Sequence, residues 1–388
     1  MTIFDTVPLD QLRTRTSEKW RHYPADVLPL FVAEMDVPQA EPVVRAVTDA
    51  VRRGDTGYPS GSGFAEAVAA FAADRWDWAV DVASTRLVPD VMLGVVELLR
   101  LVTDPGDAVV INPPVYPPFA AFVAYADRRV VNAPLGPDDR LDLEVLEAAF
   151  AQATGTGGRA AYLLCHPHNP TGTLHTAEEL RAVGALAARY GVRVLADEIH
   201  APIVLGRDAR FVPTTTQIPD AIALHSGSKA FNLAGLRVAV AVPGPDAAAD
   251  LARLPEVVAY GVGHLAVIAQ QTAYRECGAW LDDVLDGLRQ NQALAARLLG
   301  AQVPAAGWSP PEATYFAWLD LRAVEAVRAG ADPAALALDR GRVALNPGPT
   351  FGAGGVGHVR LNLAASTATL TDAVGRLRAG LGAVATVS

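Results

Sequence analysis

The sequence predicts an α/β fold: a large domain on a mostly parallel sheet with helices on both faces, then a smaller α+β C-terminal domain. Three observations carry that expectation. Between residues 85 and 243, short apolar runs alternate with stretches of helical period. Several of those runs, such as 108–111, 160–165 and 192–196, are apolar without interruption, as strands covered on both faces must be. After Pro304 the order changes, and strands and helices follow in a different arrangement.

Residues 1–40 read as irregular, punctuated by Pro8, Pro24, Pro29 and Pro38. Apolar residues then recur at helical spacing over 41–53, and Gly54 closes that helix. Gly57-Tyr58-Pro59-Ser60-Gly61 is a turn, and 64–78 a second amphipathic helix. A strand at 85–88 leads to a helix at 94–102, closed by Asp104-Pro105-Gly106. Strand 108–111 is followed by a proline-stiffened loop at 113–118, helix 119–126 and strand 128–132. Helix 143–152, a flexible glycine loop at 155–158 and strand 160–165 come next, then helix 177–190 and strand 192–196. Runs 221–225 and 238–242 read as two further strands, and 246–300 as long helix interrupted at Pro255 and 261–263. Strands at 315–319 and 359–362, with helices at 333–340 and 368–382, complete the smaller unit. The expected organisation is an arm over 1–44 that joins the small domain, a large domain over 45–275 and the small domain over 276–388.

Composition narrows the function. The chain has 388 residues, 51% of them hydrophobic, which is enough for more than one core. Its net charge of −10 leaves no basic footprint for nucleic acid or an anionic membrane. The first residues lack a signal-peptide pattern, and no apolar run reaches the roughly 18 residues that a membrane span needs. Two cysteines, Cys165 and Cys277, make neither a disulfide framework nor a metal-ligand spacing. A cytoplasmic protein without metal is the expectation.

The chemistry gathers between strands 221–225 and 238–242. The link holds Ser226-Gly227-Ser228-Lys229 and, eight positions past the lysine, Arg237. A lysine at the mouth of a buried sheet is poorly solvated, so its neutral amine gains ground and can condense with a carbonyl. The hydroxyls of Ser226 and Ser228 with the Arg237 guanidinium suit a phosphate dianion. An amine for an aldehyde beside donors for a phosphate points to pyridoxal 5′-phosphate. Alone, such a lysine would more often be an ordinary surface residue. Upstream strand ends supply its company, since ligands of open α/β sheets collect there. Asn169, in the loop after 160–165, can donate to a phenolic ring oxygen. Asp197, after 192–196, can pair with a pyridinium nitrogen, although an Asp there could equally be a helix N-cap. His200 can face the ring oxygen or be a structural histidine, and Glu198 suits a structural contact. Gly94-Val95-Val96, read as opening a helix, offers backbone N–H groups to the phosphate. Tyr116, between prolines, can stack on the ring or simply pack.

Asn169-Pro170-Thr171-Gly172, Asp197, Ser226-x-Ser228-Lys229, Arg237 and Arg360 in Val359-Arg360-Leu361-Asn362, in that order, resemble the signature of the class I/II aminotransferases, pyridoxal-phosphate enzymes of fold type I. The resemblance spans nearly the whole chain. It implies the aspartate aminotransferase-like fold with a seven-stranded-type sheet. It makes Lys229 the Schiff-base lysine, Asp197 the pyridine partner, Asn169 the ring-oxygen donor and Tyr116 the stacking aromatic. Arg360 would clamp the substrate α-carboxylate, and Tyr58 would reach the phosphate of a neighbouring subunit, making the enzyme a homodimer with shared sites. The segments 30–37, Asp197-Glu198-Ile199-His200, 313–320 and 346–352 are similar to the cystathionine β-lyase branch typified by MalY and PatB. That branch implies β-elimination from S-substituted cysteines to thiol, pyruvate and ammonia. Phe31, Glu34 and Val37 depart from its more usual Trp, Asp and Phe, and Arg237 resembles the phosphate arginine of true aminotransferases. An aminotransferase is therefore the second reading. A cofactor-binding regulator with little turnover is the third.

Overall fold

In the computed structural model the chain is described over residues 1–155 and 157–382. Thr156, within the expected loop at 155–158, and the last six positions of the expected small domain lie outside the described residues.

Seven strands form the main sheet: β1 (Arg86–Val88), β2 (Ala108–Ile111), β3 (Arg129–Asn132), β4 (Ala160–Cys165), β5 (Val192–Asp197), β6 (Ile222–His225) and β7 (Ala239–Pro243). Their spatial order is β1-β7-β6-β5-β4-β2-β3. β7 runs antiparallel to both its neighbours, and the pairs from β6 to β3 are parallel. The unbroken apolar runs have a direct cause. Successive side chains of a strand point to opposite faces, and here each face is a core. Ala161, Leu163 and Cys165 pack into one. Ala160, Tyr162 and Leu164 pack into the other.

Local signals set the helix ends. Helix Ala177–Tyr190 starts on a capping box between Thr176 and Glu179, and stops at Gly191 in the left-handed conformation. Helix Gly63–Trp76 ends two residues before the expected 78, because Asp77 turns left-handed at φ 51°. The long helical stretch breaks at Cys277 into His264–Glu276 and Gly278–Gln302.

The smaller sheet is antiparallel, in spatial order β9-β10-β8, with β8 at Phe316–Asp320, β9 at Asn346–Pro347 and β10 at His358–Asn362. The first 40 residues are more ordered than their sequence suggests. They hold short helical turns at Ile3–Asp5, Leu9–Leu12 and Glu18–Arg21, each too brief to show a period. Leu28 and Pro29 pair in parallel with Val343 and Ala344, which ties the arm to the smaller unit. Leu28 and Leu30 enter the same core as Leu299, Leu319 and Leu361.

Candidate active site

The carboxyl ends of β4, β5 and β6 open into a cavity of about 420 Å³. Lys229, Asp197, Asn169 and His200 line it from the large unit, and Arg360 enters from β10. Tyr116, Ser228 and Arg237, also expected, lie on its wall. Asn169, Asp197 and Lys229, 28 to 60 positions apart in sequence, thus meet because parallel strands deliver their ends to one edge.

Lys229 sits in a tightly held loop. Gln270, fully buried, accepts from the Gly227 N–H at 2.8 Å and donates to the Leu236 carbonyl at 2.7 Å and to Ser228 Oγ at 3.2 Å. Burial lowers the Lys229 amine to about 8; Arg360 pushes the same way and Asp197 opposes it. A neutral fraction on the order of a tenth follows at pH 7.

Asp197 ends β5 opposite Cys165, the last residue of β4. One carboxylate oxygen accepts the Ile199 N–H at 3.1 Å. Burial pushes its acid up to about 6, against the pull of that hydrogen bond and of Lys229. Such a carboxylate is poised to receive a cationic N–H. Glu198 turns away from the cavity. It accepts the Thr214 N–H at 2.8 Å and lies 2.8 Å from His225 Nε2, the structural contact expected of it.

Arg360 is 4% exposed. Its Nη1 donates to Asn169 Oδ1 at 2.9 Å and its Nη2 to the Phe31 carbonyl at 3.0 Å, while the guanidinium lies 4.0 Å from the Phe316 ring centre. Burial lowers it to about 10, so it stays charged at neutral pH. His200 is buried, edge-on to Tyr315 and Phe316, with Nδ1 lacking a hydrogen-bond partner. Burial first, then the positive charges of Lys229 and Arg360, keep it neutral.

The anion-binding end differs from expectation. Its helix begins at Val91 rather than Gly94, because Asp90 caps it by accepting the Leu93 N–H at 2.9 Å. The Gly94 N–H is spent on the Asp90 carbonyl at 2.8 Å, and Val95 and Val96 are buried one turn in. Gly94 is there for packing: a Cβ would meet Val88 at 2.8 Å and Leu224 at 2.9 Å. The first-turn N–H groups at Val91 and Met92, which line the cavity, are the ones left free for an anion. Arg237 Nη1 reaches Asp90 Oδ2 at 3.1 Å at this end. Ser228 faces the cavity, whereas Ser226 lies behind the wall, donating to the Val238 carbonyl at 2.7 Å. Tyr58 is 92% exposed and away from the cavity of its own chain.

Sequence reasoning passed over Gln270 and Asp90, and it gave segment 30–37 as a family likeness without placing Phe31, Val32 and Ala33 on the cavity wall. Asp90 carried a usable signal, an Asp immediately before an apolar helical run. The donor set fits pyridoxal 5′-phosphate. It offers an amine of lowered pKa, a buried carboxylate for a pyridinium, an amide beside it, and a guanidinium, hydroxyl and helix start for a phosphate.

The chain as a whole is similar to known proteins. The family described as aminotransferase class I and II matches residues 25–377. A Mycobacterium leprae protein provisionally named cystathionine beta-lyase is 52% identical, over 96% of each chain. The Corynebacterium glutamicum cystathionine beta-lyase is 33% identical, over 95% of this chain and 98% of its own. Among solved structures, a Corynebacterium diphtheriae protein, provisionally described as a PLP-dependent beta-cystathionase, superposes with a TM-score of 0.89 at 31% identity, covering 98% of this chain and 99% of that one.

Proposed function

We infer, from the premise that this chain belongs to the aminotransferase class I and II family, that it is a pyridoxal-phosphate-dependent carbon–sulfur β-lyase acting on S-substituted L-cysteines such as cystathionine. The observation that carries this reading is the enclosure of Lys229, Asp197 and Arg360 in one cavity.

The residues divide the work. Lys229 would hold the cofactor, Asp197 its pyridine nitrogen, and Asn169 and His200 its ring oxygen. Ser228, Arg237 and the N–H groups of Val91 and Met92 would hold its phosphate. Bound there, the cofactor supplies an electron sink for negative charge at the substrate Cα. Arg360 binds the α-carboxylate through its planar fork. The Lys229 amine, close to half neutral near pH 8, takes the Cα proton. Loss of that proton lets the Cβ–S bond break, and the departing thiolate leaves as thiol. The remaining three-carbon fragment, with water, gives pyruvate and ammonia. Tyr116 lines the cavity and would stack on the ring.

The test is pyruvate release from L-cystathionine without any added 2-oxo acid, for the wild type and Lys229→Ala. Release by the first and none by the second is expected. Turnover that depends on a 2-oxo acid would make the enzyme an aminotransferase instead.

The reading extends to a cytoplasmic homodimer with an arm at 1–44, a large domain at 45–275 and a small domain at 276–388. Two buried free thiols, Cys165 and Cys277, suit a reducing compartment. Tyr58, Val51, Val257 and Tyr260 are large apolar side chains left exposed, and a second copy would cover them. Light scattering of the purified protein decides: a monomer mass would remove both the dimer and the role of Tyr58 in a neighbouring site.

A further inference from the structure

We propose that Phe31 sets the substrate class: the wall it forms receives an apolar S-substituent, alkyl or aryl, in preference to a second amino-acid end. The proposal rests on the lyase reading and deepens it.

Phe31 lines the cavity next to Arg360. Its carbonyl accepts from Arg360 Nη2 at 3.0 Å, which puts the residue next to the group that would take the α-carboxylate. The Phe31 ring is held from behind by the arm. Tyr23 meets it edge-on at 5.1 Å between ring centres, and His22 lies at 5.4 Å. The backbone beside it is fixed as well. Asn362 donates to the carbonyls of Val32 and Glu34 at 2.8 and 2.7 Å, and Asn232 accepts from the Met35 N–H at 2.8 Å. The wall is therefore preformed, and a ligand meets it without an ordering cost.

The charges of the cavity decide what that wall can accept. Asp90, Asp197, Lys229, Arg237 and Arg360 are its charged groups among the described residues. Asp197, Lys229 and Arg237 serve the cofactor, Asp90 caps a helix and pairs with Arg237, and Arg360 takes the α-carboxylate. Glu34, the nearest further carboxylate on this segment, is turned to the arm, where it accepts from Ser17 Oγ at 2.6 Å. The rest of the lining is apolar, Val32, Ala33, Phe122 and Ile199 among it, apart from neutral polar groups such as the Asn346 amide and the Tyr116 hydroxyl. A distal ammonium and carboxylate would lose water there and find in this chain only such neutral partners, which is costly. An aryl or alkyl group would instead bury apolar area against apolar area, which is favourable.

The experiment compares S-benzyl-L-cysteine with L-cystathionine by pyruvate release, in the holoenzyme and in Phe31→Ala and Phe31→Leu. A binding readout accompanies it: calorimetric titration with L-homophenylalanine, which has the aryl group but no leaving sulfur. The wild type should favour S-benzyl-L-cysteine in kcat/KM by about tenfold or more. Phe31→Ala should cut that value about tenfold and weaken L-homophenylalanine comparably, with the cystathionine value falling by a clearly smaller factor. Phe31→Leu should fall between, which separates lost contact from lost folding. Equal or better use of cystathionine by the wild type, or an equal loss on both substrates in Phe31→Ala, would overturn the proposal. Absence of pyruvate from either substrate would sink the lyase reading instead, and L-homophenylalanine binding would still report on Phe31.

Discussion

Arg360 and Asn169 are joined by a 2.9 Å hydrogen bond from guanidinium to amide oxygen, across the seam between the smaller sheet and the loop after β4. The bond fixes the amide so that its NH2 is left to donate, and it aims the arginine fork into the cavity. A lysine at 360 could not serve the amide, the Phe31 carbonyl and a bidentate carboxylate together. Arg360→Lys should lower kcat/KM for an S-substituted cysteine by about 10- to 100-fold, mostly through KM. Pyruvate-release kinetics measure it. An unchanged KM would mean that the α-carboxylate binds elsewhere.

Asp197 predicts a pH dependence of the apoprotein. Burial raises its acid from 3.8 to about 6. Between those values the folded chain holds a proton that the unfolded chain has released, so stability falls as pH rises through that window. The loss then levels off at roughly 3 kcal/mol near neutrality, unless a cation pairs with the carboxylate. Asp197→Asn removes the titration. Thermal melts of both apoproteins should therefore diverge as pH rises from about 4 to about 6, the variant becoming the more stable. Parallel curves would assign the strain to another group.

How much of this site could be read beforehand depended on whether the cause was local. The strands that deliver Asn169, Asp197 and Lys229 were legible because an apolar run followed by turn residues is a local signal. Arg360 was found by likeness to a known signature, since a single arginine after Val359 says nothing about a cavity whose Lys229, Asp197 and Asn169 lie 131 to 191 positions upstream. The helix start was misplaced by one turn because the glycine at 94 drew the eye from the cap at Asp90. Gln270 was invisible. Its partners, Gly227 and Leu236, lie some forty residues away, and only the packing of helix His264–Glu276 brings them together. The arm read as irregular because its order comes from pairings such as Arg15 to the Met35 and Val37 carbonyls, not from propensity.

The corrected role of Gly94 yields its own prediction. A methyl there would press on Val88 and Leu224 side chains at under 3 Å. Gly94→Ala should cost about 1–3 kcal/mol of stability, typical of overpacking. Its N–H already serves the helix, so affinity for pyridoxal 5′-phosphate should change little in the folded protein. Urea denaturation and a cofactor titration read the two effects separately. A large loss of affinity at full stability would restore Gly94 to the phosphate cradle.

Lys19 and Asp36 form a buried pair, 2.6 Å apart, that fastens the arm to the segment carrying Phe31. Burial raises the Asp36 acid, and Lys19 is the principal group that opposes the rise. Lys19 also reaches the Glu34 carbonyl at 3.3 Å, and the Asp36 N–H donates to the Ala364 carbonyl at 2.9 Å. The pair thus sits between the arm, the cavity wall and the chain leaving β10. Lys19→Met would strand the carboxylate in an apolar setting and should destabilise the protein by about 3–5 kcal/mol. Lys19→Met with Asp36→Leu removes both charges and should recover most of that loss, because much of the cost lies in the unpaired partner. Denaturation of both variants at one cofactor concentration separates the two contributions. If the double variant is as unstable as the single one, the arm is held by shape rather than by charge compensation.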